Sequence, residues 1–277
     1  MQNKTKNTNR KKVTLKPVYK PYLRGNIASK TAAKRGMRVF FFSLVFVFIY
    51  LLAGSALTFD NSLLRIFANG VLVAVAAMVM YAEGTHHGET DVGFAEIAQE
   101  RLDEGRNVPA SEHDLCFHPL KGVFSMAVGV LPLVIVCAVY ALLTERQVFS
   151  LGVLPSWVST YESQAEIAQG LAYYHERQPF MLVDALRIFV RLLNFPYVTM
   201  AGVDNFDAMY IVDKLAPLLC LIVPSFYALG YLRGPYLRAL VHGSIRMNRR
   251  KQNKREMRAR EQRRQQIQKK SDKKELV

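Results

Sequence analysis

Apolar residues along this chain gather into four long runs. Residues 39 to 59, 66 to 82, 122 to 144 and 215 to 232 contain no Asp, Glu, Lys or Arg. A hydrocarbon core of about 30 Å takes around 20 helical residues to cross, because each adds about 1.5 Å of rise. The runs therefore predict spans at residues 37–58, 63–82, 122–143 and 210–232. One such run would suit a buried helix of a soluble core. Four, each bounded by charge, predict an all-α integral membrane protein. A fifth apolar segment, residues 180–203, differs because Asp184, Arg187, Arg191 and Asn194 fall at i, i+3, i+7 and i+10, one stripe of a helix. Each charge would oppose crossing by about 2.5 to 3.5 kcal/mol at the bilayer centre. The segment is expected to form an amphipathic helix over residues 180–195 on the outer face, or one packed on the bundle with Asp184 and Arg187 paired.

Charge sets the orientation. The 277 residues carry a formal net charge of +15, and it is segregated. Residues 1 to 38 hold twelve Lys or Arg and no acid, residues 231 to 277 hold sixteen against four, and the middle holds nine against eighteen. Basic flanks stay in the cytoplasm, so both termini are expected there. Four spans satisfy that parity, with residues 83–121 as an inner loop and 144–208 as an outer one. The location expected is the plasma membrane. The first apolar run follows 38 polar residues, so residues 37–58 read as a retained signal-anchor rather than a cleaved leader.

The segments outside the spans have their own patterns. Residues 1–36 are acid-free and interrupted by Pro17, Pro21 and Gly25, which predicts a disordered basic arm. After Gly234 and Pro235, a new helix is expected in the basic 233–277 tail. Tyr236, Leu237, Leu240, Val241 and Ile245 share one face of it, opposite Arg238, His242, Arg246 and Arg249, the pattern of a helix lying in the membrane surface. Residues 248–270 lack a heptad seam, which disfavours a coiled coil. In the inner loop, nine acids face three bases, Thr90 or Asp91 is placed to cap a helix ended by Gly105, and Ser111 with Asp114 suggests a further capping box. The outer loop holds Trp157, Tyr161 and a Tyr173-Tyr174-His175 cluster, with Ser159 and Glu162 as a capping box for a helix to about Gln178. Such aromatics are expected to anchor at the interface. The loop stretch Glu96-Ile97-Ala98 with Gly105 resembles the coupling loop of ABC importer permeases over about ten residues. Its spacing to the glycine is longer than that family's pattern, and no residue role follows from it.

Candidate chemistry is sparse. His86, His87, His113, Cys116 and His118 bring nitrogen and sulfur donors near the membrane, where zinc would take three or four of them. Ordinary surface histidines are the favoured alternative, since no HExxH spacing is present. Nucleophile-elbow, P-loop and GxGxxG patterns are absent too. Asp184, Arg187, Arg191, Asp213 and Lys214 form a second group, either structural ion pairs or a solute path. Arg238, Arg246, Arg249, Arg250, Lys251 and Arg255 are candidates for contact with anionic lipid or RNA. The tail has no aromatic residue after Tyr236 to stack bases. Ser125 and Gly129 allow close helix contact in the third span.

These features favour a non-catalytic accessory or scaffold subunit of a membrane complex, without a cofactor, whose tails rest on anionic lipid and whose partners are other membrane subunits. The alternatives are a transporter or channel component with a charged path, and a ribosome- or RNA-associated membrane factor.

Overall fold

The computed structural model describes residues 16–57, 59–145, 156–161, 164, 166–167, 181–202 and 205–274, with side chains as far as Arg264. The described residues are helical, without strands. Their order is α1 (Lys30–Ala56), α2 (Ser62–Asp103), α3 (Ala110–His113), α4 (Pro119–Leu143), α5 (Ser156–Tyr161), α6 (Leu182–Leu193), α7 (Phe195–Ala201), α8 (Phe206–Leu232) and α9 (Gly234–Lys274). The helices α1, α2, α4 and α8 are long and apolar enough to cross a membrane. They also turn large apolar side chains outward, among them Leu52 at 78% exposure and Leu142 at 84%. In water such a surface would aggregate, whereas lipid solvates it. The protein is a multi-pass helical membrane protein.

Local chemistry fixes the helix starts. Ser29 Oγ accepts from Ala32 N at 3.1 Å, so α1 begins at Lys30, seven residues before the expected span. Asn61 caps α2 and Asn205 caps α8. His118 caps α4, with Pro119 at its first turn. Asp91 and Thr90 start no helix: α2 runs unbroken for 42 residues, about 63 Å, and its apolar part accounts for only about half of that. Gly105 ends it as expected, at φ 75, with Gly105 N bonded to Leu102 O. The short α3 follows Pro109 with no side-chain cap, so Ser111 and Asp114 form no capping box. Ser159 lies within α5, and the rest of its expected capping box and helix lies outside the described residues.

Packing departs from chain order. α8 lies against both α2 and α4, and α1 packs mainly on α4. α1 and α2, consecutive in the chain, barely touch; α7 contacts both at the end away from the termini. The core combines Val39, Phe46, Met80, Val130, Val223 and Tyr227 from all four long helices. Glycine sets the closest approaches. A Cβ on Gly84 would strike Tyr227 O, and one on Gly230 would strike Tyr81 O, while Gly88 and Gly234 face each other one turn on. The α2–α8 seam is thus built on Gly84-x-x-x-Gly88 and Gly230-x-x-x-Gly234. Gly129 meets Gly36 O in the same way, so the small pair Ser125 and Gly129 is used within the molecule, against α1.

Segment 180–203 is two short helices hinged at Asn194, neither long enough to cross. Arg187 and Asn194 of its polar stripe are buried against the bundle. The polar stripe thus faces protein, in line with the packed-helix expectation. The disordered-arm reading is corrected for residues 16–29. They run across the end of the bundle where α1 starts and α8 ends, with Val18 N bonded to Ala239 O, Leu23 N to Ala95 O and Gly25 N to Phe117 O. Gly25 is required there, since a Cβ would meet Cys116 O. Residues 1–15, the Tyr173-Tyr174-His175 cluster, the helix end near Gln178 and Glu162 lie outside the described residues.

Candidate functional site

The start of α1, the middle of α2, the start of α4 and the end of α8 converge on one carboxylate. Asp91 sits on α2 about two turns beyond its apolar run, and its side chain is 1% exposed. Arg35 grips it with two parallel bonds of 2.6 Å, Nη1 to Oδ2 and Nη2 to Oδ1. Lys121 Nζ lies 2.9 Å from Oδ2 with no exposed surface, and donates also to Asp114 O at 2.8 Å and Cys116 O at 3.1 Å. Tyr231 donates its hydroxyl to Oδ2 at 2.6 Å. Such fork-and-carboxylate geometry is the strong form of charged hydrogen bond. One carboxylate thus ties four elements in a fixed register, while the buried Lys121 and the half-buried Arg35 share a single negative charge.

A second clamp lies one and a half turns further along α2. Glu96 takes Arg238 Nε at 3.0 Å and His242 Nε2 at 2.8 Å, both from α9. Arg238 and His242 therefore face α2, which corrects the placing of Arg238 as a lipid or RNA contact. The same bonds, with Val18 on Ala239, hold the first three turns of α9 alongside the projecting part of α2. α9 continues the direction of α8 beside α2 and does not splay outward as a surface-lying helix. A small core of Val92, Ala95, Ala98, Cys116, Phe117 and Tyr231, joined by Tyr22 and Leu23 of the arm, packs on the same stretch of α2. Phe117 stacks on Tyr231 at 5.2 Å and meets the edge of Tyr22 at 5.8 Å. Lys20 closes the arm on Glu100 at 3.0 Å.

The outer charges are paired as well. Arg187 Nη1 meets Asp184 Oδ1 at 2.8 Å, and Arg187 Nε donates to Tyr140 Oη at 3.3 Å. Arg191 binds Asp213 through Nε at 3.2 Å and Nη2 at 2.7 Å. Lys214 turns away from them and donates to Ala141 O at 2.8 Å, at the carbonyl end of α4, where the helix dipole favours a cation.

The five metal candidates are not brought together. Among the described residues no three His, Cys, Asp or Glu side chains form a metal-sized group. His87 Nδ1 bonds Tyr227 Oη at 3.0 Å, His118 caps α4, and the buried Cys116 Sγ donates to Glu112 O at 3.2 Å. Burial pushes the Cys116 thiol above its ordinary pKa, with Lys121 opposing and the Asp91 and Glu112 charges adding to the rise. It is a packing cysteine rather than a thiolate ligand.

Beyond Ile245 the tail changes character. Arg246 and every described residue from Asn248 to Arg264 are exposed, including Arg249, Arg250, Lys251 and Arg255. These basic residues lie on α9. Sequence reasoning missed Asp91, Lys121, Arg35 and Tyr231 as one group, because they are up to 196 positions apart. The paired small-xxx-small spacings at 84/88 and 230/234 were the available signal that α2 and α8 are neighbours. Family models, characterised proteins and solved structures were all compared with this chain, and none matches it.

Proposed function

We propose that the protein is a non-catalytic accessory or scaffold subunit of a membrane complex, in the plasma membrane with both termini cytoplasmic. The observation that carries this reading is the stalk. α2 extends about 30 Å past its apolar run, and α9 is locked to it through Glu96 while Asp91 locks α2 to the bundle. A bundle that spends its buried charge on internal register, and carries its length outside the membrane, is suited to presenting a fixed surface to a partner. The ion pairs of Arg187 and Arg191 support the same view, because their carboxylates already satisfy them. Anionic headgroups fit the exposed basic residues nearest the spans, Lys30, Lys34 and Arg233. Other membrane subunits fit the apolar faces of the four spans.

The test is purification of the full chain in mild detergent beside the variant R187Q/R191Q. An accessory subunit brings down a membrane partner in fixed ratio, and the variant retains it. Isolation without any partner, with solute flux into reconstituted vesicles that the variant loses, would replace this reading by the transporter.

A further inference from the structure

The exposed part of α9 has a charge distribution that selects its ligand. Between Arg249 and Arg264 it carries nine Lys or Arg against Glu256 and Glu261, over about 24 Å of helix. At about 100° per residue, Arg249, Arg260, Arg264, Arg250, Lys254, Arg258, Lys251, Arg255 and Arg263 follow one another around the axis. The widest sector without a cation is about 80°. A helix that lies on a bilayer needs an apolar sector of 100° or more to bury, and here Met257 stands among the basics. Position also argues against lipid. Fifteen helical residues, about 22 Å, separate the end of α8 from Arg249, and α9 spends them beside α2's projecting half, whereas lipid surface charge is screened over about 8 Å.

From this encircling charge, held off the bundle, we infer that residues 249–264 bind double-helical RNA through its phosphates. The two phosphate strands of an RNA duplex border its wide, shallow minor groove, so a helix seated there meets phosphates on both flanks, whereas a flat anionic surface meets one face only. The lack of any aromatic residue after Tyr236 removes the stacking that single-strand binders use, so the duplex is the better match. The cytoplasmic side, where the proposed function puts the tail, is where structured RNA is abundant. The contact is sequence-independent and supplies the scaffold with a ligand on its free end. It rests on the scaffold reading for its orientation.

The experiment uses the full chain in nanodiscs of neutral phosphatidylcholine with a fluorescein-labelled 20-base-pair RNA duplex, read by anisotropy. If about half of the nine cations meet phosphates, the logarithmic salt slope is about −4. Affinity then falls roughly 250-fold between 50 and 200 mM monovalent salt. Changing Arg249, Arg250, Lys251, Arg255 and Arg258 together to Gln, which keeps helix propensity, should weaken binding at least 10-fold and flatten the slope. Equal binding by that variant overturns the inference. So does preference for the single strand, or capture by phosphatidylserine vesicles with no binding of RNA in neutral nanodiscs. Loss of RNA binding with membrane partners still copurifying defeats this inference alone. Loss of partners with RNA binding kept defeats the accessory-subunit reading instead.

Discussion

Replacing Asp91 by Asn keeps the shape of the side chain, removes its charge and turns one accepting oxygen into a donating NH2, so it takes the counter-charge from the hub while filling the same space. In the parent, Arg35 and Lys121 share one carboxylate, and the Lys121 side chain has no exposed surface. Asp91→Asn leaves the buried Lys121 and the half-buried Arg35 without a counter-charge. Removing one partner of a buried ion pair costs about 3 to 5 kcal/mol, because the surviving charge stays desolvated. For domains of 150 to 250 residues each kcal/mol moves the thermal midpoint by about 2 to 4 °C, so a drop of about 6 to 20 °C is expected. The midpoint is read in detergent with a thiol-reactive fluorophore, since Cys116 and Cys137 are fully buried until the protein opens. The second variant decides the cause. Adding Lys121→Met to Asp91→Asn removes the cation with no route to solvent and leaves Arg35, whose side chain is 15% exposed and can turn outward. The double variant should therefore be more stable than Asp91→Asn alone, a coupling of favourable sign in the mutant cycle. A single variant within about 2 °C of the parent, or a double variant worse than the single, would refute the shared-charge account.

Three further outcomes follow from the same geometry. Gly84→Ala and Gly230→Ala each push a methyl into a backbone carbonyl across the α2–α8 seam and should lower the thermal midpoint, whereas Gly70→Ala, whose nearest neighbour is the flexible end of Met200 at 4.0 Å, should leave it unchanged; equal effects at all three would contradict the seam. Glu96→Gln should release the proximal turns of α9 at a cost of about 1 to 3 kcal/mol, seen as faster amide exchange over residues 236–247. Unchanged exchange there would show that the clamp does not hold the stalk. Single cysteines placed as Thr5→Cys and Asp272→Cys should both resist an impermeant maleimide added to intact cells, and labelling of only one would break the even-span topology.

Spans were legible because bilayer thickness imposes a length that no local detail overrides, and each of the four runs overlaps one of the four long apolar helices. The polar stripe of residues 184–194 was legible for the same reason, since the cost of charge in lipid forbids a lipid-facing crossing. Continuity was not legible. Thr90 and Asp91 have the chemistry of a helix cap, yet the Cα path passes straight through them because Thr90 Oγ1 turns back to His86 O and Asp91 is taken by Arg35, Lys121 and Tyr231. The same residue type serves both ends, and only partners distant in sequence decide between them. Residues 16–29 misled for a related reason. Composition alone describes an isolated chain, while Gly25, Tyr22 and Lys20 are specified by a surface that other segments supply. The amphipathic reading of α9 inverted because Glu96 attracts the charged face inward.

The seat of the arm has an order of assembly written into it. Residues 16–29 precede all four long apolar helices in the chain, but the carbonyl that receives Val18 belongs to Ala239, which follows the last of them. The arm must wait through the insertion of all four spans before its berth is complete. Its closure therefore reports that all four long apolar helices have been made and packed together.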